Sequence, residues 1–328
     1  MRLPWLRARL RRGCGFGGQV GASLTAALLL TVWIGAGLVS AQGTPVRING
    51  AIDKLARGKS LAGAIMYDFS LYAAAQFASS DLDFIIVDME HRGLDYERLE
   101  TFLLGTTNKA EIAKQGNLQV RVPPIVRIPT YGRAPSEAIV KQVLDMGAFG
   151  IMFPAIENKA QALEAVSSAR YPQVWGSKYP SPIGRRGNGN MPAAWFWGLS
   201  RPEYSRRADV WPANPEGELL LFLQIETAEG VKNVEEILSV PGIGVIFVGP
   251  NDLSWSLGVP QGSAEHEQAV STVLKACMAR NIPAAITVTE KDVLNRLKQG
   301  FRVASLPSGG LEAPMDATLK LARTVIQR

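Results

Sequence analysis

Histidine and cysteine are both scarce in this chain, with two of each in 328 residues. Cys14 lies in an N-terminal segment unlike the rest, which leaves Cys277 alone beyond it and excludes an internal disulfide framework. Cys277 sits in the helical pattern Val273-Leu274-Lys275-Ala276-Cys277-Met278, with no histidine close in sequence, and reads as an inert packed thiol. Internal repeats are lacking too, and 47% hydrophobic against 20% charged residues excludes a disordered chain. What remains is a sequence able to bury a full core.

Acidic residues are missing from the first 41 positions, where Arg2, Arg7, Arg9, Arg11 and Arg12 precede an almost wholly apolar stretch, 23–39. The segment ends in the small-residue site Val39-Ser40-Ala41, so 1–41 reads as a signal peptide for export, periplasmic or secreted. The alternative is an uncleaved membrane anchor, since the apolar stretch approaches spanning length. The Arg11-Arg12 pair is only a weak twin-arginine signal, because Gly13-Cys14-Gly15 follows it. Losing these five arginines takes the formal net charge from +6 to +1. The high pI thus belongs mainly to the leader, and no basic stripe for nucleic acid remains. Once the leader is cleaved, no stable membrane association is expected.

Over 42–328, apolar runs of strand length recur at 61–67, 84–89, 124–128, 150–155, 219–225, 244–248, 284–288 and 301–306. Continuous rather than alternating Val/Ile/Leu runs are what parallel strands covered on both faces show. Amphipathic segments at 96–104, 136–146, 159–170, 228–239, 265–280 and 290–298 lie between them. Strand–helix alternation with eight strands predicts an α/β fold, a single-domain (β/α)8 or TIM barrel. No Gly-x-Gly-x-x-Gly follows the first strand, which weakens a dinucleotide reading. The stretch 171–216 has no strong period but carries Trp175, Trp195, Phe196, Trp197 and Trp211, and is read as a lid or an oligomer contact.

In such barrels chemistry sits at the C-terminal strand ends. Those ends carry Asp88-Met89-Glu90-His91, Arg127, Gln224-Ile225-Glu226 and Gly249-Pro250-Asn251-Asp252. Glu226 and Asp252 follow neighbouring strands, close enough to converge on Mg2+ or Mn2+. Equally, each could cap the helix that follows it. His91 is placed to act as a general base, whereas His266 falls in a helix expected to be exposed. Arg127, inside an apolar run, requires a carboxylate or a developing oxyanion as its partner. No candidate Schiff-base lysine stands at a strand end, so a metal-stabilised enolate of a 2-keto acid is preferred to an imine.

These motifs, together with Lys141-Gln142-Val143-Leu144-Asp145-Met146-Gly147-Ala148 and Gly184-Arg185-Arg186-Gly187, resemble those of the HpcH/HpaI aldolases, pyruvate-dependent class II enzymes. The resemblance runs from about Gly50 to the C-terminus. It implies that His91 is the catalytic base, that Asp145 raises its basicity and that Arg127 stabilises the transition state. It further implies that Glu226 and Asp252 hold a divalent metal (Mg2+, Mn2+ or Co2+). Gln224 and the backbone at Asn251 and Asp252 would bind pyruvate. A homohexamer is implied as well, with a C-terminal helix at 311–328 exchanged between copies. The chain departs from the family by a few extra residues at Tyr131-Gly132-Arg133-Ala134, by Arg92 after the histidine, and by Asn251 where alanine is frequent. All three bear on substrate identity.

The expected reaction is cleavage of a 4-hydroxy-2-oxo acid to pyruvate, or a related 2-keto acid, and an aldehyde. Two alternatives stand beside it: a citrate-lyase- or malyl-CoA-lyase-like enzyme, and an exported non-catalytic barrel that binds small molecules.

Overall fold

Continuous apolar runs become strands buried on both faces, and in the computed structural model they form a closed parallel barrel. The structure describes residues 46–129, 137–309 and 313–326, so the leader at 1–41 and the extra residues at 131–134 lie outside it. The strands are β1 Leu61–Met66, β2 Phe84–Asp88, β3 Pro124–Arg127, β4 Gly150–Phe153, β5 Val210–Trp211, β6 Leu219–Ile225, β7 Val245–Val248, β8 Ala284–Thr287 and β9 Val303–Gly309. Their order is β4-β3-β2-β1-β9-β8-β7-β6, and a parallel β4–β6 pairing closes the ring. The two-residue β5 adds to the β6 edge. Phe84 and Phe222, from opposite walls, meet at 5.4 Å, so side chains fill the interior.

All eight expected strands are present, with ends shifted by a few residues. The largest shift is at β9, which starts at Val303 and runs on to Gly309. The expected helix 228–239 is broken into Ala228–Lys232 and Val234–Ile237. Asn233, at the break, donates its side-chain amide to the carbonyl of Glu157 and to the Glu229 carboxylate. Within 171–216 the structure forms helices Met191–Phe196 and Arg201–Arg207. Trp197 anchors this excursion by stacking on Phe149 at 4.3 Å and donating to Gly147 O at 2.8 Å. Trp175 and Trp195 remain 88% and 73% exposed in the single chain, so the apolar content of this segment is only partly buried by its own barrel.

The N-terminal end of the barrel is closed by the helix Gly50–Ala56. Glu218, just before β6, accepts from the amides of Ile48 and Asn49 at 3.1 and 2.9 Å and holds that helix in place. At the other end of the chain, the helix Ala313–Arg323 packs Met315, Leu319 and Ala322 on its own barrel, and Arg323 donates to Asp83 at 2.8 Å. Among the described residues no helix is long and apolar enough to cross a membrane.

Candidate active site

Register builds one half of the site. Asp88 and Arg127 are direct partners in the β2–β3 ladder, so their side chains leave the barrel at the same height on the same face. Arg127 Nε and Nη2 donate to the two Asp88 oxygens at 2.8 and 2.7 Å, a planar bidentate pair with both residues buried. The remaining nitrogen, Nη1, lies 3.4 Å from Glu90 Oε2. Asp88 Oδ1 also accepts from Glu90 N at 3.0 Å, which fixes the turn leading to His91. Burial opposes the charge on Arg127, but Asp88 and Glu90 outweigh it and raise its pKa. The Glu90 pKa is raised by burial, which exceeds the opposing pull of Arg127 and His91. The His91 ring is exposed and its Nε2 stands 3.7 Å from Glu90 Oε2.

The other half comes from β6 and β7, whose ends are level through the pair Ile225↔Val248. Glu226 is buried and held by two donors: Ala155 N at 2.9 Å on Oε1, and Gln224 Nε2 on Oε2. Ala155 takes φ 51° to aim that amide. A non-glycine residue there costs about 1–3 kcal/mol, and such strain gathers at functional sites. Gly249 lets β7 pass close by, since a Cβ there would lie 2.5 Å from Glu226 Oε2 and 2.8 Å from Gln224 Nε2. Burial, then Asp252 and Glu90, push the Glu226 carboxyl up to about 8. Three carboxylates from β2, β6 and β7 therefore act on one another across the mouth of the barrel.

Helix capping does not explain the acid pair. The helix after Glu226 is capped by Thr227, whose side chain accepts from Gly230 N, and the helix Pro250–Leu257 begins at Gly249 with no side-chain cap bond. Asp252 sits exposed in the first turn of that helix. The donor set suits a hard divalent cation, which takes oxygen ligands and usually only one or two protein carboxylates. A second observation fits as well, because buried Gln224 Oε1 has no hydrogen-bond partner among the described residues. Among those residues, no group of three or more His, Cys, Asp and Glu is arranged to hold a metal ion. Protein ligands alone would thus leave coordination positions to water or substrate oxygens.

Asp145 stands apart from this cluster. It ends the helix Glu137–Asp145, which runs back from the C-terminal strand ends toward the opposite end of the barrel. There it pairs with Lys141 and with buried Arg186, each at 2.9 Å. Within one chain, the structure does not bring Asp145 to His91.

His266 corrects the sequence reading, which placed it in an exposed helix. The helix is present as Ala264–Ala279, but His266 is fully buried on its inner side. Its Nδ1 lies 3.3 Å from the donor Gly262 N, leaving Nε2–H to donate to Pro250 O at 2.8 Å. His266 thus pins the helix that carries Asn251 and Asp252. Asp88, Glu90 and His266 are the site-building residues that sequence reasoning left unassigned. The first two were visible only as neighbours of His91.

Comparison with known proteins gives the family. The sequence model of the HpcH/HpaI aldolase/citrate lyase family matches residues 69–311. Over 227 residues the chain is 32% identical to the 2-keto-3-deoxy-L-rhamnonate aldolase of Salmonella schwarzengrund (strain CVM19633), covering 69% of this chain and 72% of that protein. An HpcH/HpaI aldolase/citrate lyase family protein from Burkholderia cenocepacia J2315 superposes with a TM-score of 0.66 at 28% identity, covering 84% and 96% of the two chains. The HpcH/HpaI aldolase of Desulfitobacterium hafniense DCB-2 shares the fold, with a TM-score of 0.64 at 23% identity and coverage of 84% and 96%. The chain belongs to the HpcH/HpaI aldolase/citrate lyase family, and it is a carbon–carbon lyase.

Proposed function

We propose that the protein is a divalent-metal-dependent aldolase that cleaves a 4-hydroxy-2-oxo acid to pyruvate, or a related 2-keto acid, and an aldehyde. The observation that carries this reading is the Glu226 carboxyl, buried beside Asp252 and Glu90 and pushed up to about 8. Such a site favours either a proton or a cation, and its oxygens suit Mg2+, Mn2+ or Co2+. Glu226 and Asp252 are the residues that would hold the cation. When bound, the cation supplies Lewis acidity at the keto oxygen, stabilising the enolate left when the carbon–carbon bond breaks.

The chain's own residues do the rest. The N–H groups of Asn251 and Asp252, at the start of the helix Pro250–Leu257, lack intrahelical partners and face a carboxylate favourably. The Gln224 amide borders the same position. His91 takes the proton from the C4 hydroxyl as the C3–C4 bond breaks, and the aldehyde leaves. His91 then returns a proton to C3, completing pyruvate. Arg127, held rigid by Asp88, directs Nη1 toward the mouth, where negative charge develops.

A contact between His91 and Asp145 would have to form between copies, with Asp145 of one chain at the mouth of another. This accords with the proposed hexamer and with the exposed Trp175, Met191 and Trp195. Sedimentation velocity checks the assembly, and a monomer that retains full activity would remove Asp145 from the mechanism. Export to the periplasm, by cleavage of 1–41, is proposed from the leader's pattern alone. N-terminal sequencing of the protein recovered from the periplasm tests it.

The aldolase reading is tested by pyruvate release from a 4-hydroxy-2-oxo acid after exhaustive chelation and re-addition of Mg2+, Mn2+ or Co2+. Activity should vanish and return. Full activity without metal refutes it, and activity confined to acyl-CoA substrates replaces it with a citrate-lyase-like reaction.

A further inference from the structure

Beside the acid cluster, at the ends of β1 and β2, lies an open hollow of about 550 Å³ lined by Tyr67, Ser70, Arg92 and Arg98 among others. Tyr67 joins it to the reaction centre. It stands one residue beyond the pair Met66↔Val87, level with Asp88, and close enough to Arg127 to act on that residue's charge. The Arg92 guanidinium lies over the Tyr67 ring, 5.2 Å from its centroid. Arg92 directly follows His91, so the hollow opens where a chain leaving the C4 hydroxyl would run.

The other charges of the hollow are already engaged. Asp95 caps the helix Tyr96–Gly105 by accepting from Arg98 N at 3.0 Å, and its second oxygen lies 3.4 Å from Arg98 Nε. Asp68 accepts from Ser70 N at 2.8 Å, at the start of the helix Leu71–Ser79. Arg92 differs from these. Its side chain is exposed, and among the described residues it has no ion pair and no hydrogen bond beyond its cation–π contact. Stacking on an aromatic face holds a guanidinium in place while leaving its edge N–H groups open to a planar anion.

We propose that this hollow receives the far end of the aldehyde half, and that Arg92 selects substrates bearing an anionic group there, a carboxylate or a phosphate. The proposal rests on the aldolase reading above and names its substrate class. Tyr67 and Arg92 are specificity-determining residues, and neither takes part in bond breaking.

The test is condensation of pyruvate with succinic semialdehyde, glyceraldehyde 3-phosphate and uncharged butyraldehyde by the metal-loaded enzyme. A second readout is enzyme-catalysed exchange of the pyruvate C3 protons in D2O, which involves no aldehyde. One of the two anionic aldehydes should exceed butyraldehyde in kcat/KM by roughly tenfold to a hundredfold, the range of a charge-assisted hydrogen bond. Which one does so distinguishes carboxylate from phosphate. Arg92→Ala should collapse that ratio mainly through KM of the anionic aldehyde, and Arg92→Lys should restore part of it. Exchange with no anionic preference, or a ratio that Arg92→Ala leaves intact, overturns the subsite while the aldolase reading stands. Loss of exchange in the wild-type enzyme overturns both.

Discussion

Asp88 is where stability and catalysis are most tightly joined, and Asp88→Asn separates them. In the native pair Asp88 receives Arg127 Nε, Arg127 Nη2 and the amide of Glu90, three donors on two carboxylate oxygens. Asparagine offers one acceptor oxygen and an NH2 group, so at least one donor–donor contact is forced whichever way its amide is turned. Removing one member of a buried ion pair costs about 3–5 kcal/mol, because the other charge stays buried without its partner. Here Glu90 remains 3.4 Å from Nη1 and offsets part of that loss. The expected cost is therefore near the lower end, about 3 kcal/mol, or roughly 5 °C in Tm for a domain of this size. Urea unfolding measures it directly. The freed guanidinium would turn toward Glu90, so kcat/KM should fall at least tenfold, as for loss of an aligned oxyanion donor. Asp88→Asn combined with Arg127→Met should recover most of the stability and none of the activity, since the uncompensated charge is gone. If Asp88→Asn unfolds within about 0.5 kcal/mol of wild type at an unchanged kcat, the pair is not the scaffold described here.

Gly249→Ala should cost about 1–3 kcal/mol and weaken Mg2+ or Mn2+ binding at least tenfold by calorimetry, because its Cβ would displace the Glu226 carboxylate. Unaltered cation affinity would place the metal elsewhere. Glu226, raised from 4.5 to about 8, stabilises the metal-free fold while it is protonated, and that contribution is lost as pH rises from about 4.5 through about 8. A cation competes with the same proton, so the rise in Tm on adding Mg2+ should be larger at pH 8.5 than at pH 6. An equal rise at both would show that Glu226 does not bind it. His266→Ala should destabilise by about 3 kcal/mol through its cavity and the stranded Pro250 carbonyl. It should also raise KM for pyruvate more than it lowers kcat, by loosening the turn at Asn251 and Asp252. A change in kcat alone would contradict that positioning role.

Much of this architecture was legible in the chain because parallel barrel strands are buried on both faces and announce themselves as continuous apolar runs. β6, Leu219–Ile225, coincides with its expected bounds residue for residue. Reading only the polar residues that end such runs led to His91, Arg127, Gln224, Glu226, Asn251 and Asp252. Of these, Arg127, Gln224 and Glu226 are buried at the mouth of one barrel. The broken helix at Asn233 and the short helices after 190 were not legible, since tertiary hydrogen bonds and aromatic anchoring decide them rather than local periodicity. Register was hidden for the same reason. Nothing in Asp88 as a letter says that it stands opposite Arg127.

Burial direction explains the remaining misses. Glu265, His266 and Glu267 read as one polar stretch, yet a helix turns successive side chains by about 100°, so one residue can face inward between two that do not. His266 is such a residue, and it supports the Asn251–Asp252 side of the site through a carbonyl, leaving no trace in any side-chain motif. Asp145 is the converse. Its sequence neighbourhood, Lys141 to Ala148, resembles the family's, but helix polarity in a βα unit carries it to the far end of its own barrel, beside Lys141 and Arg186. A motif therefore specifies which residues serve a reaction more readily than which copy of the chain supplies them. Double-mutant cycles on His91 and Asp145, run in mixed oligomers of the two single variants, discriminate these cases. If the contact is made between copies, mixing the two variants restores active sites that neither has alone. Additive losses and no restoration would confine Asp145 to the ion pairs seen in the single chain.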